Sequence, residues 1–188
     1  MTQAMKKHSK IQAGFTLAEA TLVTAILAVA AGVALPSAAP LAEVRLDAAA
    51  SEVVAALRFA RDDAMRTGSY RMVSCDIAGD RIAVYGLSIY STFTVASSIP
   101  SHPVTGQPYT IDLDTAPAGG NVNLNRCTFT FTDGTATAVT FDPDGNPVRG
   151  TGDTASQARA LTAGTVVVNA GAISRAVTVE PTGRVTAS

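Results

Sequence analysis

Three patterns of hydrophobic and polar positions follow one another along the chain. Residues 15–35 are apolar almost without interruption, and Glu19 is their only ionisable side chain. In residues 41–67 apolar positions recur every three or four residues, as on one face of a helix, and Gly68 then supplies a helix stop. Beyond Gly68 the period becomes two, and the residues become those of strands and turns. The order predicts an α+β protein with a long N-terminal helix against a β-rich body.

The β-rich body is predicted to contain nine strands. They are 71–75, 81–86, 92–96, 109–113, 127–132, 138–142, 165–169, 175–180 and 184–186. The first two strands form a hairpin whose turn is the glycine-containing run 78–80. The patterns are weakest in 87–125 and 143–162, which are predicted to carry the variable loops where partner contacts usually lie.

The apolar segment is long enough to cross a membrane. As a helix, its about 21 residues cover about 30 Å, the thickness of the hydrocarbon core of a bilayer. Lys6, Lys7 and Lys10 precede it and place that end in the cytoplasm by the positive-inside rule. The predicted parts are a leader at 1–14, a transmembrane helix at 15–36, an amphipathic stem helix at 37–68 and an external β-rich domain at 69–188.

Glu19 is the informative residue of this segment. A carboxylate inside an apolar span costs about 2.5 to 3.5 kcal/mol on insertion scales and is normally kept for a partner. Cleavage between Gly14 and Phe15 would create an α-ammonium on Phe15, one helical turn from Glu19, and a neighbouring subunit's ammonium is an equally available partner. An intermolecular pair of this kind would set the register between packed helices.

The start of the apolar segment carries a recognisable motif. The run Gly14-Phe15-Thr16-Leu17-Ala18-Glu19, after a basic leader, resembles the processing signature of type IV prepilins. The resemblance implies a prepilin peptidase that cuts after Gly14 and methylates the amine of Phe15, and it implies that Glu19 directs the subunit into a growing filament. Ala18 stands where such proteins more often carry Ile or Val, which leaves the motif intact.

Two simpler interpretations of this segment compete with processing. A secretory signal peptide also combines basic, apolar and small-residue regions, and residues 37–39 resemble its cleavage site. Glu19 inside the apolar core and Pro40 just after the candidate cut argue against it. A plain single-span anchor explains the length and the lysines, but it explains neither the run at 14–19 nor the carboxylate.

Runs in the body resemble the GspH/FimT group of minor pseudopilins and minor pilins. The three runs are 57–66, 141–145 and 181–185. The first of them is followed by a strand that ends at Cys75. The resemblance implies a pilin-like fold, a long helix on antiparallel sheets, and a structural rather than enzymatic role. It implies a minor pseudopilin of the type II secretion system, at or near the pseudopilus tip, or the similar minor pilin of a type IV pilus.

The same resemblance implies a location and a set of partners. The chain would cross the bacterial inner membrane once, with its C-terminal domain in the periplasm, and would assemble into a periplasmic pseudopilus or pilus. Its partners would be other pilin or pseudopilin subunits, prepilin peptidase, the inner membrane and a secreted substrate.

Cys75 and Cys127 are the two cysteines of the chain. They lack the spacing and the neighbouring histidines of a metal site. In an oxidising compartment outside the cytoplasm a disulfide is the natural interpretation, and it would stabilise the fold by about 4 kcal/mol. Two separate buried thiols remain the alternative, because the sequence does not give the distance between them.

The charge balance gives little support to nucleic-acid binding. The formal net charge is -1, and loss of the leader lysines would bring it to about -4. Arg175 and Arg184 are candidate contacts to DNA phosphates, as in some minor pilins of the group that end in Gly-Arg-x-Arg. Here the run at 183–186 lacks the second arginine. An arginine that covers a strand edge explains these residues as well.

The sequence contains no recognisable catalytic or metal-binding motif. The run 142–146 with Asp153 imitates a calcium loop, but Pro147 replaces the glycine that such loops need, and a β-turn explains the same residues. His102, in a loop, has no nucleophile or phosphate-binding motif to accompany it. We therefore predict no enzyme activity, no metal and no cofactor, and a solvent-exposed His102.

Overall fold

A computed structural model describes residues 16–33, 38–87, 96–115, 121–150 and 159–188 of the chain. They belong to two compact units, Met1–Ala38 and Ala39–Ser188. The first unit contains helix α1, Leu17–Val33. Among the described residues, no helix is both long enough and apolar enough to cross a bilayer. Of the predicted span 15–36 the structure describes residues 16–33, and α1 takes up 17 of them.

Helix α2, Ala38–Thr67, begins the second unit and extends three residues further toward the N-terminus than its periodicity predicts. Pro40 is compatible with this start, because the first turn of a helix needs no intrahelical N–H donor. The helix ends as predicted at Gly68, whose φ is +63°. The N–H of Ser69 donates to the carbonyl of Ala64 at 3.2 Å, which is the hydrogen bond of a Schellman cap.

The described residues form eleven strands in two antiparallel sheets. The first sheet has the order β3-β2-β1-β7-β8, with β4 also paired to β2, and the second has the order β11-β10-β9-β5-β6. The strands are β1 Arg71–Asp76, β2 Arg81–Leu87, β3 Ala96–Ser98, β4 Thr110–Asp112, β5 Asn123–Phe131, β6 Gly134–Ala136, β7 Ala138–Phe141, β8 Pro147–Val148, β9 Leu161–Ala170, β10 Ile173–Val179 and β11 Val185–Ala187. The predicted α+β class is therefore confirmed.

Most of the predicted strands are present, with some errors at their ends. The hairpin of β1 and β2 turns at 77–80, close to the predicted turn. The prediction missed β6 and β8 and started β5 and β9 four residues too late. Residues 92–95 of the predicted third strand lie outside the described residues. Gly164 in β9 looks like a turn residue, but a Cβ there would lie 2.8 Å from the Phe129 ring, so the glycine makes room for the core.

A single hydrophobic core holds α2 against both sheets. The helix contributes fully buried alanines, which allow its backbone to approach the strands closely, together with Leu46 and Leu57. Phe141 of the first sheet and Phe129 of the second sheet are completely buried in the same cluster. The second unit thus contains its own core, both sheets and α2 from Ala39 onward.

Candidate assembly site

The N-terminus of α1 is fixed by a capping box. Thr16 Oγ1 accepts the backbone N–H of Glu19 at 3.3 Å, and Glu19 Oε2 accepts the backbone N–H and the hydroxyl of Thr16 at 3.4 and 3.3 Å. Within the described residues Glu19 Oε1 accepts no hydrogen bond, so one carboxylate oxygen stays open to another donor. This cap was not predicted from the sequence, although the Thr-x-x-Glu spacing is its usual signal.

The surface of α1 is apolar and exposed within its own unit. The exposed fractions of Leu17, Leu22 and Ile26 are 84%, 63% and 60%. A helix with this surface is stable where lipid or other apolar helices cover it. The predicted processing residues Gly14 and Phe15 lie outside the described residues.

Arg175 of β10 reaches across to α2. Its Nε donates to Asp47 at 2.7 Å and its Nη2 to Glu43 at 3.2 Å. The hydrogen bond to Asp47 and the charge of that carboxylate raise the pKa of Arg175, and Glu43 adds to the effect. Arg175, a predicted DNA contact, therefore forms ion pairs that join the second sheet to α2.

Arg184, the other predicted DNA contact, pairs with Glu180 across the turn before β11. Its Nη2 and Nε donate to the same Glu180 carboxylate oxygen at 2.6 and 3.0 Å. This hydrogen bonding raises the pKa of Arg184 and lowers that of Glu180. The structure thus gives both arginines carboxylate partners, at separate places on the second sheet.

Two of the runs that resemble the GspH/FimT group meet on α2. Gly145, φ +81°, follows β7, and Gly183, φ +78°, precedes β11. A Cβ on Gly183 would lie 2.7 Å from the carbonyl oxygen of Gly145, and a Cβ on Gly145 would lie 2.7 Å from Met65 Sδ. Arg61 Nε donates to that carbonyl at 3.3 Å. The glycines are needed because their two turns and the helix touch one another.

Asp63 is a buried carboxylate at the C-terminal end of α2. Its exposed fraction is 5%, and Arg71 of β1 donates to it at 2.5 Å while Arg66 also donates to it. Burial alone would raise the pKa of Asp63, but the hydrogen bonds from Arg71 and Arg66 outweigh it and hold the pKa below its ordinary value. The cluster of Asp63, Arg66 and Arg71 thus joins the end of α2 to β1.

The structure contains a disulfide between Cys75 of β1 and Cys127 of β5, with their Cα atoms 6.3 Å apart. It links the first sheet to the second. Thr137 lies beside the bridge, and its carbonyl accepts the backbone N–H of Cys75 at 3.1 Å. The bridge is therefore packed within the contact between the sheets rather than on a free loop.

The calcium-like run is a hydrogen-bonded turn where it is described. Asp142 Oδ1 accepts the backbone N–H groups of Asp144 and Asn146 at 3.0 and 2.8 Å. In the described part of the chain no group of three metal-binding side chains comes together, and Asp153 lies outside it. The carboxylate of Asp142 thus serves as a turn acceptor.

The prediction that His102 is a solvent-exposed loop residue is wrong. His102 is only partly exposed, because its ring packs against the buried ring of Tyr109 at a centroid distance of 4.5 Å. The backbone N–H groups of Val104 and Thr105 donate to His102 Nδ1 at 3.2 and 3.3 Å. The ring orientation is set by the loop that follows it.

Comparison with known proteins gives a family and a fold. The sequence model of the family described as Type II transport protein GspH matches residues 49–183. The minor pseudopilin EpsH from the type 2 secretion system of Vibrio cholerae is 11% identical, with a TM-score of 0.50 over 77% of this chain and 96% of that chain. At that identity the likeness shows a shared fold alone.

A second solved structure is less similar in shape. The type IV minor pilin FimU of Pseudomonas aeruginosa is 15% identical, with a TM-score of 0.47 over 78% of this chain and 90% of that chain. No curated protein sequence matches the chain. The predicted pilin-like fold, helix against antiparallel sheets, is confirmed by the family match and by the sheets themselves.

Proposed function

Because the chain belongs to the GspH family, we propose that it is a minor pseudopilin of a type II secretion system, placed at or near the pseudopilus tip. The family match over 49–183 carries this proposal. Membership makes the chain a minor-pilin-like structural subunit that assembles with other pilin or pseudopilin subunits. It acts by assembly, and the described residues contain no cluster of metal-binding side chains.

The N-terminal segment supplies the membrane anchor in this proposal. Prepilin peptidase removes residues 1–14 and methylates Phe15, and the apolar helix holds the subunit in the inner membrane. Support comes from the exposed apolar surface of α1 and from the open Oε1 of Glu19. In an apolar layer that oxygen needs a donor, and the Phe15 amine of a neighbouring subunit has the right charge.

The second unit stands in the periplasm and meets the partners. A disulfide between two sheets is typical of a domain that folds in an oxidising compartment. The core within this unit and its ion pairs to α2 give a rigid body that can be carried on a filament.

Substitution of Glu19 tests the assembly step. We expect Glu19→Gln to reduce filament or secretion yield at least tenfold while N-terminal sequencing still finds Phe15 as the first residue, because only the charge pair is lost. Thr16→Ala is the matched control, since it removes the hydroxyl of the cap but keeps the carboxylate. Equal loss in both variants would mean that Glu19 acts through the cap, and full yield in Glu19→Gln would overturn the pairing.

Replacement of Gly14 tests the processing step separately. We expect a bulky residue such as Leu at this position to block cleavage, so that the leader with its three lysines stays on the protein. Mass spectrometry of the membrane fraction measures this directly. A mature N-terminus near Pro40 in the wild-type protein would instead identify a secreted protein and exclude the anchor.

A deletion strain separates the two filament systems. Loss of exoprotein from the medium with normal surface pili supports type II secretion, and the reverse result supports a type IV pilus. DNA binding is tested by an electrophoretic shift of the full chain with and without Arg184→Gln. We expect no shift in either sample, because both candidate arginines are paired with carboxylates.

A further inference from the structure

A cavity of about 580 Å³ lies between α2 and the segment 102–115 in the second unit. Its volume is in the range of small-ligand pockets, roughly 300 to 1,000 Å³. Glu52 of α2 forms one side, and His102, Val104, Ile111 and Asp112 are among the residues of the other. The lining is mainly apolar, so the cavity combines an apolar wall with two carboxylates.

The carboxylate of Glu52 lacks a matching cation among the described residues. The side chain of Glu52 has no hydrogen bond or ion pair within the described part of the chain, and its charge acts on Tyr109. Asp112 lies 3.8 Å from Arg81 at the surface, so its charge is only partly compensated. Among the described residues that line the cavity, none is a lysine or an arginine. The electrostatic complement of this cavity is therefore a cation.

A buried aromatic ring supports the cavity lining at His102. The ring of Tyr109 is 2% exposed and lies against Phe59 of α2 and against His102, with centroid distances of 4.7 and 4.5 Å. Its hydroxyl makes no hydrogen bond with the described residues, which is rare for a buried polar group. Burial and the charge of Glu52 raise the pKa of Tyr109 to about 12, so the phenol stays protonated.

The rim of the cavity is accessible to another protein. Val104, one of the lining residues, is 86% exposed. An apolar rim around an unpaired carboxylate suits a long side chain that has an aliphatic stem and a charged head. Lysine and arginine are the residues of that chemistry, and arginine also stacks on aromatic rings.

We propose that this cavity is a docking site for a lysine or arginine side chain, presented by an apolar segment of a partner protein. The head group binds Glu52 beside His102, and the stem lies along the apolar wall. The inference deepens the proposed function, on which it rests for the presence of a periplasmic protein partner. It assigns partner recognition to the face between α2 and residues 102–115.

Peptide titration of the full chain in detergent micelles tests the docking site. The probe is acetyl-Val-Arg-Val-amide, followed by the ring NMR signals of Tyr109 and His102. We expect saturable shifts of both rings, no binding of the same peptide with norleucine or glutamate in place of arginine, and about tenfold weaker binding by Glu52→Gln. Glu43→Gln is the matched control, because Glu43 lies on the same helix but pairs with Arg175.

Two results would overturn the docking site. One is equal binding of the arginine and norleucine peptides, and the other is unchanged binding by Glu52→Gln. Either failure leaves the Glu19 pairing untouched, since that is measured by filament yield. Conversely, normal filaments in Glu19→Gln together with specific peptide binding would sink the assembly mechanism and retain the docking site.

Discussion

Removal of the disulfide should cost the second unit a large part of its stability. The bridge joins residues 52 positions apart, and a loop of that length lowers the entropy of the unfolded chain by the equivalent of about 4 kcal/mol. For a unit of about 150 residues, each kcal/mol corresponds to roughly 2 to 4 °C in Tm, so we expect Tm to fall by about 8 to 16 °C.

The variant to measure is Cys75→Ala with Cys127→Ala. Near-ultraviolet circular dichroism of the tyrosines reports on the second unit during heating or urea unfolding. Reduced wild-type protein is the control and should match the double variant to within about 1 kcal/mol, because both lose the same loop constraint. The chain-entropy explanation would be refuted if the free energy of unfolding of the double variant were less than about 1 kcal/mol below that of the oxidised wild type. Such a small difference would mean that the sheets stay together in the unfolded ensemble without the bridge.

Three further predictions concern the second unit. Asp63→Ala should destabilise it by about 2 to 3 kcal/mol at pH 7, because the partly buried Arg71 loses its carboxylate partner. As the pKa of Asp63 is lowered, its contribution is complete above about pH 4 and is lost as the pH falls through the lowered pKa, so urea midpoints of variant and wild type should converge in acid. Gly183→Ala should cost more than Gly171→Ala in the same assay, because both have positive φ but only the first meets a backbone oxygen, at 2.7 Å. Tyr109 should ionise near pH 12. Because the pKa of Tyr109 is raised in the folded protein, its contribution to the free energy of unfolding is complete below pH 10 and is lost as the pH rises from 10 to about 12. Absorbance at alkaline pH should show this step, and Tyr109→Phe should remove it.

Local signals in the sequence predicted the elements that depend on neighbouring residues. Gly68 ends α2 because a residue with a left-handed backbone conformation is needed there. It could be recognised as the helix stop because the repeat of apolar positions ends just before it. The turn between β1 and β2 could also be recognised locally, from the glycine-containing run 78–80. The edge strands β6 and β8 have three and two residues, and such short segments become strands only because β5 and β7 offer them hydrogen bonds.

The candidate sites were harder to predict, because their contacts join distant positions. Arg175 and Asp47 are 128 positions apart, and nothing in the sequence around either residue indicates the pair. His102 was expected in solvent because it follows a loop pattern, yet the ring of Tyr109 covers one of its faces. The cap at Thr16 and Glu19 is the opposite case: it joins residues only three positions apart and could have been predicted from the sequence, although it was missed.

The capping box at the start of α1 has a consequence for the proposed processing. The first helical hydrogen bond runs from the N–H of Ala20 to the carbonyl of Thr16, so the box and the first turn of α1 are built from the same few residues. The proposed scissile bond after Gly14 precedes the cap. Removal of the leader as proposed would therefore take away neither residue of the capping box, and Thr16 and Glu19 would still close the N-terminus of α1.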